Sequence, residues 1–120
     1  MSITGIGVDI VDIDRIKKAI KSARFQKICF TQAEIDYCNS KSVASFAGLF
    51  AAKESVAKAI GTGFKSFFPR DIEILHTFDG KPHVKLSKHV PISENHQIML
   101  TIAHEKKYAV AHCIITQRGN

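Results

Sequence analysis

Residues 42–61 read SVASFAGLFAAKESVAKAIG and carry the strongest helical signal in the chain. Large apolar side chains recur there every three or four residues, which is the spacing of one face of an α-helix. Ser42 is suited to cap the start of this helix, and Gly61 is suited to end it. We therefore predict a helix over residues 42–60 that packs against a sheet.

A strand is predicted near the N-terminus, where residues 3–11 read ITGIGVDIV. Apolar side chains alternate there with small or acidic residues, so the two kinds lie on opposite faces. One face of this predicted buried strand holds Ile6, Val8 and Ile10, and the other holds Gly5, Gly7 and Asp9.

Short helices are predicted between this strand and the long helix. Asp12 can cap a helix that starts at Ile13. A short helix is expected around Phe25–Phe30. Thr31 and Glu34 form a capping-box pattern that opens a further helix to about Asn39.

Four strands are predicted after the long helix, at Asp71–Thr77, His83–Leu86, 97–103 and 108–116. A turn at Asp79–Pro82 joins the first two, and His104–Lys107 joins the last two. This order predicts an α+β fold in one domain, residues 1–120, with a mostly antiparallel sheet packed on the long helix.

Composition narrows the partners and the compartment. The chain has 120 residues, is 45% hydrophobic and carries a net charge of +6, which favours an acidic partner. It has no Trp, and its eight Phe lie mostly in apolar stretches rather than interleaved with Lys and Arg, so a single-stranded nucleic acid partner is disfavoured. Cys29, Cys38 and Cys113 lack zinc or disulfide spacing and are expected to be reduced thiols of a cytoplasmic protein. Neither a signal peptide nor a membrane-spanning run is evident.

Asp9 is a carboxylate within an apolar strand, on the face cleared by Gly5 and Gly7. Burying a bare charge is costly, so such a residue usually has a cation or strong donors beside it. The glycines let either a ligand or another backbone approach closely. A metal ligand and a structural aspartate are equally compatible with this pattern.

Glu54 and Lys58 share one face of the long helix with Ala47 and Ala51. Two alanines beside two charges predict a shallow floor for a substrate. The alternative is an ordinary Glu-to-Lys surface pair four residues apart.

Other candidates lie at the ends of elements. Exposed amides at Gly61-Thr62-Gly63 can bind phosphate oxygens, although Gly61 is also a sufficient helix stop. His104 follows a predicted strand and can transfer protons or be an ordinary turn histidine.

The helix after Asp12 is predicted to carry a basic face. It is either a solvated surface or a docking site for an acidic partner. Its members are Arg15, Lys17, Lys18, Lys21 and Arg24.

The ordered motifs of this chain resemble the holo-acyl-carrier-protein synthase family, the small phosphopantetheinyl transferases. The resemblance runs over about residues 3–116. It rests on GIGVDIV (5–11) with Arg15, FAAKE (50–54), KAIGTG (58–63), GKP (80–82) and TIAH (101–104).

The resemblance implies transfer of 4′-phosphopantetheine from coenzyme A to a serine of apo acyl carrier protein, a step in fatty acid biosynthesis. It implies that Asp9 and Glu54 hold Mg²⁺. Lys58 and His104 join them as catalytic residues. The residues implied to bind the coenzyme are Lys53, Lys58, Gly61, Thr62, Gly63 and His104. The base that deprotonates the serine is left open between Glu54, a metal-held water and a water held by Asp36.

The resemblance also implies a homotrimer with coenzyme clefts at subunit interfaces. The acidic carrier protein would dock on Arg15, Lys17, Lys21 and Arg24. Leu49 stands where the family usually has Arg, and Ala103 where it usually has Ser or Thr, so weaker coenzyme A binding is expected.

Two other functions remain compatible with the sequence alone. The basic helix and the two departures fit a non-catalytic module that binds a carrier protein. Net charge alone fits a nucleic-acid-binding domain.

Overall fold

The computed structural model of the protein describes residues 1–119. It contains five strands and four α-helices among these residues. The strands are β1 (Ser2–Asp12), β2 (Ile72–His76), β3 (Pro82–Leu86), β4 (His96–His104) and β5 (Tyr108–Gln117). The helices are α1 (Ile13–Ala19), α2 (Ala23–Cys29), α3 (Gln32–Asn39) and α4 (Val43–Ile60).

The strands form two antiparallel sheets, as the predicted α+β class requires. One sheet has three strands in the order β1-β5-β4, and the other is the β2–β3 hairpin. Helix α4 packs across one face of the three-stranded sheet, mainly on β1 and β5. Its Phe46 and Val56 belong to the same buried core as Ile115 of β5 and Ile72 of β2.

Local sequence signals set the helix boundaries. The Asp12 side chain accepts hydrogen bonds from the amides of Asp14 and Arg15 at the start of α1. The Thr31–Glu34 capping box forms in both directions. Gly61 ends α4 with φ of 97°, a left-handed conformation that favours glycine. Ser42 occupies the predicted N-cap position, but its side chain makes no capping bond.

The basic stretch after Asp12 is two short helices rather than one. Helix α1 ends at Ala19, and Ser22 caps α2 through a 3.2 Å bond from the Phe25 amide. Lys21 therefore lies in the connection and Arg24 in α2.

Strand β1 and helix α4 approach backbone to backbone. An ideal Cβ on Gly7 would lie 2.0 Å from the Ser55 carbonyl oxygen, and one on Gly5 would lie 2.1 Å from that of Ala59. Any side chain at these two positions would push the helix off the strand. The sequence left open whether a ligand or another backbone approaches Gly5 and Gly7. The structure shows that the backbone of α4 does.

The opposite face of β1 is exposed, contrary to the prediction of a buried strand. Ile6, Val8 and Ile10 alternate with the glycine face as predicted, yet they are 66%, 56% and 65% exposed. Because the glycine face is the one that packs on α4, the larger side chains point away from the core. Met99 of β4 and Tyr108 of β5 are also exposed large apolar residues.

The three cysteines are free and buried. Burial raises the pKa of Cys29 to about 11 and the pKa values of Cys38 and Cys113 to about 12, so these thiols stay protonated and unreactive at neutral pH. None of the helices in residues 1–119 is both long and apolar enough to cross a bilayer.

Replacing Gly7 with Ala tests the close contact of β1 with α4. The added methyl collides with backbone, which cannot move aside as a flexible side chain can, so we expect a loss of about 3 kcal/mol or more in the free energy of unfolding. Denaturant unfolding would measure it.

Gly48→Ala is the matched control. Its added Cβ meets the Cγ2 methyl of the Ile102 side chain at 3.0 Å rather than backbone, and Ala is favoured within a helix, so we expect a change within about 1 kcal/mol. Equal effects of the two substitutions would contradict the packing described.

Candidate functional site

Asp9 and Lys58 form an ion pair between β1 and α4. The Lys58 Nζ lies 3.0 Å from Asp9 Oδ1 and 3.1 Å from the Val8 carbonyl oxygen. The Asp9 side chain is 16% exposed and that of Lys58 is 54% exposed, so the pair opens to solvent. Lys58 therefore balances the negative charge of Asp9, and the Asp9 carboxylate remains accessible to solvent.

Glu54 lies one turn before Lys58 on α4 and is half-buried. Within residues 1–119, no cationic side-chain nitrogen lies within 4.0 Å of its carboxylate. Burial raises the pKa of Glu54, and the charge of Asp9 raises it further, while Lys58 and Arg15 lower it. The alternative of a simple Glu54–Lys58 surface pair is wrong, because Lys58 pairs with Asp9.

The arrangement fits a divalent cation. Two carboxylates come from different elements, and the Asp9 charge makes ionised Glu54 less stable. A cation between them would remove that repulsion. Mg²⁺ is commonly held in proteins by one or two carboxylates together with phosphate oxygens and water. The described residues contain no cluster of three or more His, Cys, Asp or Glu that could form an all-protein metal cage.

The predicted substrate floor on α4 is wrong. Ala47 and Ala51 have no exposed surface, so a substrate cannot lie against them. Glu54 is half-buried and Lys58 is exposed, so both remain accessible to solvent.

Lys53 is the clearest correction to the predicted coenzyme-binding residues. Its ammonium has no exposed surface and binds both Glu34 carboxylate oxygens at 2.7 and 2.8 Å. It also donates to the carbonyl oxygens of Ile72 and Pro69. With no exposed surface, Lys53 cannot reach a ligand.

Glu34 joins three elements through its carboxylate. Besides Lys53, it accepts hydrogen bonds from the amides of Thr31 and Ile74. Removing one partner of such a buried pair leaves an uncompensated charge and costs about 3–5 kcal/mol. The capping-box pattern located Glu34, but no sequence signal indicated its pairing with Lys53.

His104 lies in a different part of the molecule. It is exposed at the end of β4 and lines a cavity of about 190 Å³ together with Gly80, Pro82 and Leu49. Tyr37 and His76 form another wall, with stacked rings 4.1 Å apart. The structure therefore brings His104 together with the GKP turn. Leu49 supplies an aliphatic side chain there in place of a cation.

The turn after α4 has fewer free backbone N–H groups for binding phosphate than the sequence predicted. The Gly61 N–H donates to the Ala57 carbonyl at 3.0 Å, so the helix already uses it. Gly63 has φ of 61°, which bends the chain sharply after the exposed Thr62. The predicted phosphate contact narrows to the amides of Thr62 and Gly63.

Arg15 links the basic residues of α1 and α2 to Asp9 and Glu54, which we call the acidic pair. Its charge partly offsets the rise in the pKa of Glu54 that burial and Asp9 cause, which places Arg15 within electrostatic range of that carboxylate. The surrounding cations Lys17, Lys21 and Arg24 are exposed. The surface predicted to dock an acidic partner thus borders Asp9 and Glu54.

The two groups of predicted site residues lie on different sides of α4. Successive helix residues are turned by about 100°, which places Ser45 and Gly48 roughly 130° around the helix from Glu54 and Lys58. Ser45 and Gly48 line the His104 cavity. One side of the helix therefore presents Glu54 and Lys58, and the other borders the His104 cavity.

Known proteins share this combination of motifs and fold. The model of the 4′-phosphopantetheinyl transferase superfamily matches residues 5–113. The chain belongs to this superfamily. The match spans Asp9, α4 and His104 in one continuous region, so the ordered motifs are part of one fold.

Individual relatives are similar in sequence to this chain over nearly their whole length. A holo-[acyl-carrier-protein] synthase of Fusobacterium nucleatum is 42% identical over 120 residues, covering 94% of this chain and 98% of that protein. One from Clostridium novyi is 45% identical over 125 residues, covering 98% and 91%.

Solved structures agree as well. The Bacillus anthracis synthase in complex with CoA (3′,5′-ADP) superimposes with a TM-score of 0.84 at 32% identity, covering 98% of this chain and 100% of that one. The Helicobacter pylori synthase in complex with coenzyme A gives a TM-score of 0.81 at 32% identity, covering 92% and 99%. The predicted family, fold class and transferase activity are confirmed.

The raised pKa of Glu54 predicts a pH-dependent effect of Glu54→Gln on stability. The folded chain binds this proton more tightly than the unfolded chain, so ionised Glu54 lowers the free energy of unfolding at neutral pH. The metal-free Gln variant should therefore melt at a higher temperature at pH 7, by about 3–6 °C for each kcal/mol gained. The gain should shrink as the pH falls below the raised pKa and vanish below the ordinary value of 4.5.

Thermal unfolding at several pH values, with a chelator present, would measure this gain. Glu94→Gln makes the same chemical change on an exposed loop and should leave the melting temperature unchanged at each pH. A lower melting temperature for Glu54→Gln at pH 7 would contradict the electrostatic account.

Proposed function

We propose that this chain transfers the 4′-phosphopantetheine group from coenzyme A to a serine of apo acyl carrier protein, with Asp9 and Glu54 as the Mg²⁺ ligands. The products are holo acyl carrier protein, which carries chains in fatty acid biosynthesis, and adenosine 3′,5′-bisphosphate. The observation that carries the assignment of ligands is the convergence of these two carboxylates from β1 and α4.

The residues around the carboxylates suit the reaction. The serine oxygen attacks the phosphorus that bears pantetheine, and the bond to the leaving bisphosphate breaks. Mg²⁺ held by Asp9 and Glu54 would neutralise charge on the pyrophosphate. Lys58 reaches solvent beside Asp9 and can move its ammonium onto a phosphate oxygen.

The proton of the serine needs an acceptor. We assign it to Glu54, because this carboxylate is within electrostatic range of Asp9 and has no cationic side-chain nitrogen within 4.0 Å among residues 1–119, so one of its oxygens is open to a proton. Asp36 is exposed on α3, where its carboxylate accepts a hydrogen bond from the Gln32 side chain. Within residues 1–119, no hydrogen bond or ion pair joins Asp36 to Asp9 or Glu54.

A coenzyme cleft between copies of the chain would unite the two sides of α4. In this arrangement, Asp9, Glu54 and Lys58 of one copy face the His104 cavity of a neighbouring copy. The exposed apolar residues of β1, β4 and β5 support assembly, since a large apolar patch on a soluble chain commonly marks an interface. We propose the homotrimer expected from the sequence.

The carrier protein would dock on the basic residues of α1 and α2. Arg15 already acts on Glu54, so a partner bound there brings its serine to the acidic pair. Three unbonded cysteines favour a reducing compartment, and we place the reaction in the cytoplasm.

The transfer is tested by incubating the chain with apo acyl carrier protein, coenzyme A and Mg²⁺ and following the carrier protein's mass. We expect a gain of one phosphopantetheine group that chelation abolishes. Asp9→Asn should lower the rate by at least about 100-fold, because metal stabilisation of the transition state supplies several kcal/mol.

Glu94→Gln, a neutralised carboxylate on an exposed loop, should keep the wild-type rate. No mass gain from the wild type, while a known synthase modifies the same sample, would refute the function. An unchanged rate in Asp9→Asn would refute the assignment of the metal ligands.

Assembly is tested by Val8→Lys. Val8 is exposed in the single chain, so the substitution leaves folding intact but places a charge in the proposed interface. Light scattering should give three times the chain mass of 13.3 kDa for the wild type and one chain mass for the variant. The variant should also lose transfer activity.

Gln32→Lys adds the same charge on exposed α3 and should remain a trimer with full activity. A monomeric wild type that is fully active would contradict a cleft shared between copies.

A further inference from the structure

A second cavity, of about 530 Å³, lies between β3, the start of β4 and the segment 87–95. None of the residues predicted for the transfer reaction lines it. His96 borders this cavity and His104 borders the coenzyme cavity, at opposite ends of β4. Eight residues of an antiparallel strand separate them, which corresponds to about 27 Å.

The floor of this cavity is aliphatic. Its apolar lining consists of Val84, Leu86, Val90, Ile92 and Ile98. Phe, Tyr and Trp are absent from the lining, whose only aromatic rings are the imidazoles of His83 and His96. The floor therefore suits a flexible hydrocarbon chain.

The rim carries a net positive charge. Lys88 and Arg118 border the cavity, against the single acidic residue Glu94, and the imidazoles of His83 and His96 border it as well. Within residues 1–119, neither Lys88 nor Arg118 has a carboxylate within 4.0 Å. These side chains are available to an anion, and the arginine fork matches the geometry of a carboxylate.

The walls are held in place by the protein's own bonds. The Ser87 amide and hydroxyl bind the Asp71 carbonyl and carboxylate at 2.9 and 2.8 Å. The Arg118 amide donates to the Asn95 carbonyl at 2.9 Å, which ties the end of β5 to the loop. Val90 is 5% exposed and anchors the loop in the core. A cavity of this size that exists before binding is typical of small-molecule sites.

We propose that this cavity binds a free aliphatic carboxylate, with the hydrocarbon chain on the Val84–Ile98 floor and the carboxylate at Arg118 and Lys88. An inorganic anion would leave the floor unused, and a neutral lipid would leave the rim unused. The site is separate from the proposed transfer reaction and stands whether or not that reaction occurs.

Methyl NMR of the assembled wild-type protein tests the site with octanoate as the probe. Octanoate should shift the methyl signals of Val84, Ile92 and Ile98 in a saturable way. Octyl glucoside shares the chain without the charge, and acetate shares the charge without the chain. Neither should produce these shifts at the same concentration.

The double variant Lys88→Gln/Arg118→Gln should bind octanoate at least about 10-fold more weakly, because it loses the charge-assisted hydrogen bonds to the carboxylate. Lys85→Gln/Lys106→Gln removes the same charge outside the cavity lining and should bind as the wild type does. Both variants should keep full transfer activity.

Equal shifts from octyl glucoside or from acetate would overturn the proposal, as would equal affinities of the two double variants. Absence of shifts at saturating octanoate would overturn it as well.

Discussion

The structure depends on the backbone contact between β1 and α4. Gly5 and Gly7 have no side chains, so the carbonyl groups of Ala59 and Ser55 lie where a Cβ would otherwise be. This contact fixes how deeply the helix sits on the sheet. It also fixes the position of Asp9, the next residue on the same face of β1, beside Lys58 and near Glu54. The acidic pair is thus a consequence of how the strand and helix pack.

Much of the fold follows from local sequence signals. The helix α4, its glycine stop, the Thr31–Glu34 capping box and the four later strands are read directly from periodicity and caps. The exposed face of β1 was not predictable in this way. Alternation shows that Ile6 and Gly7 lie on opposite faces, but the usual rule puts the larger side chain inside. Here the helix needs the glycine face, and the isoleucine and valine side chains point outward, available to another copy of the chain.

Several features of the candidate site could not be predicted from local sequence. Lys53 and Glu54 are neighbours in a helix and point in directions about 100° apart, so one is fully buried and the other reaches the candidate metal site. Helical periodicity could not choose between them, because the burial of Lys53 depends on Glu34, 19 residues earlier. Likewise, the ordered motifs named His104 and Glu54 together, whereas the fold places them on different sides of α4. In the proposed assembly their common role depends on a second copy of the chain, which no local sequence signal could indicate.

The central claim is that Asp9 and Glu54 act together on one divalent cation. Titration of Mn²⁺, followed by its paramagnetic resonance in the presence of adenosine 3′,5′-bisphosphate, measures this directly in the wild type, in Asp9→Asn, in Glu54→Gln and in the double variant. If the two carboxylates share one ion, each single variant loses most of the affinity and the double variant loses little more, so the free-energy losses are strongly non-additive. Wild-type affinity in either single variant, or losses that simply add, would contradict the claim.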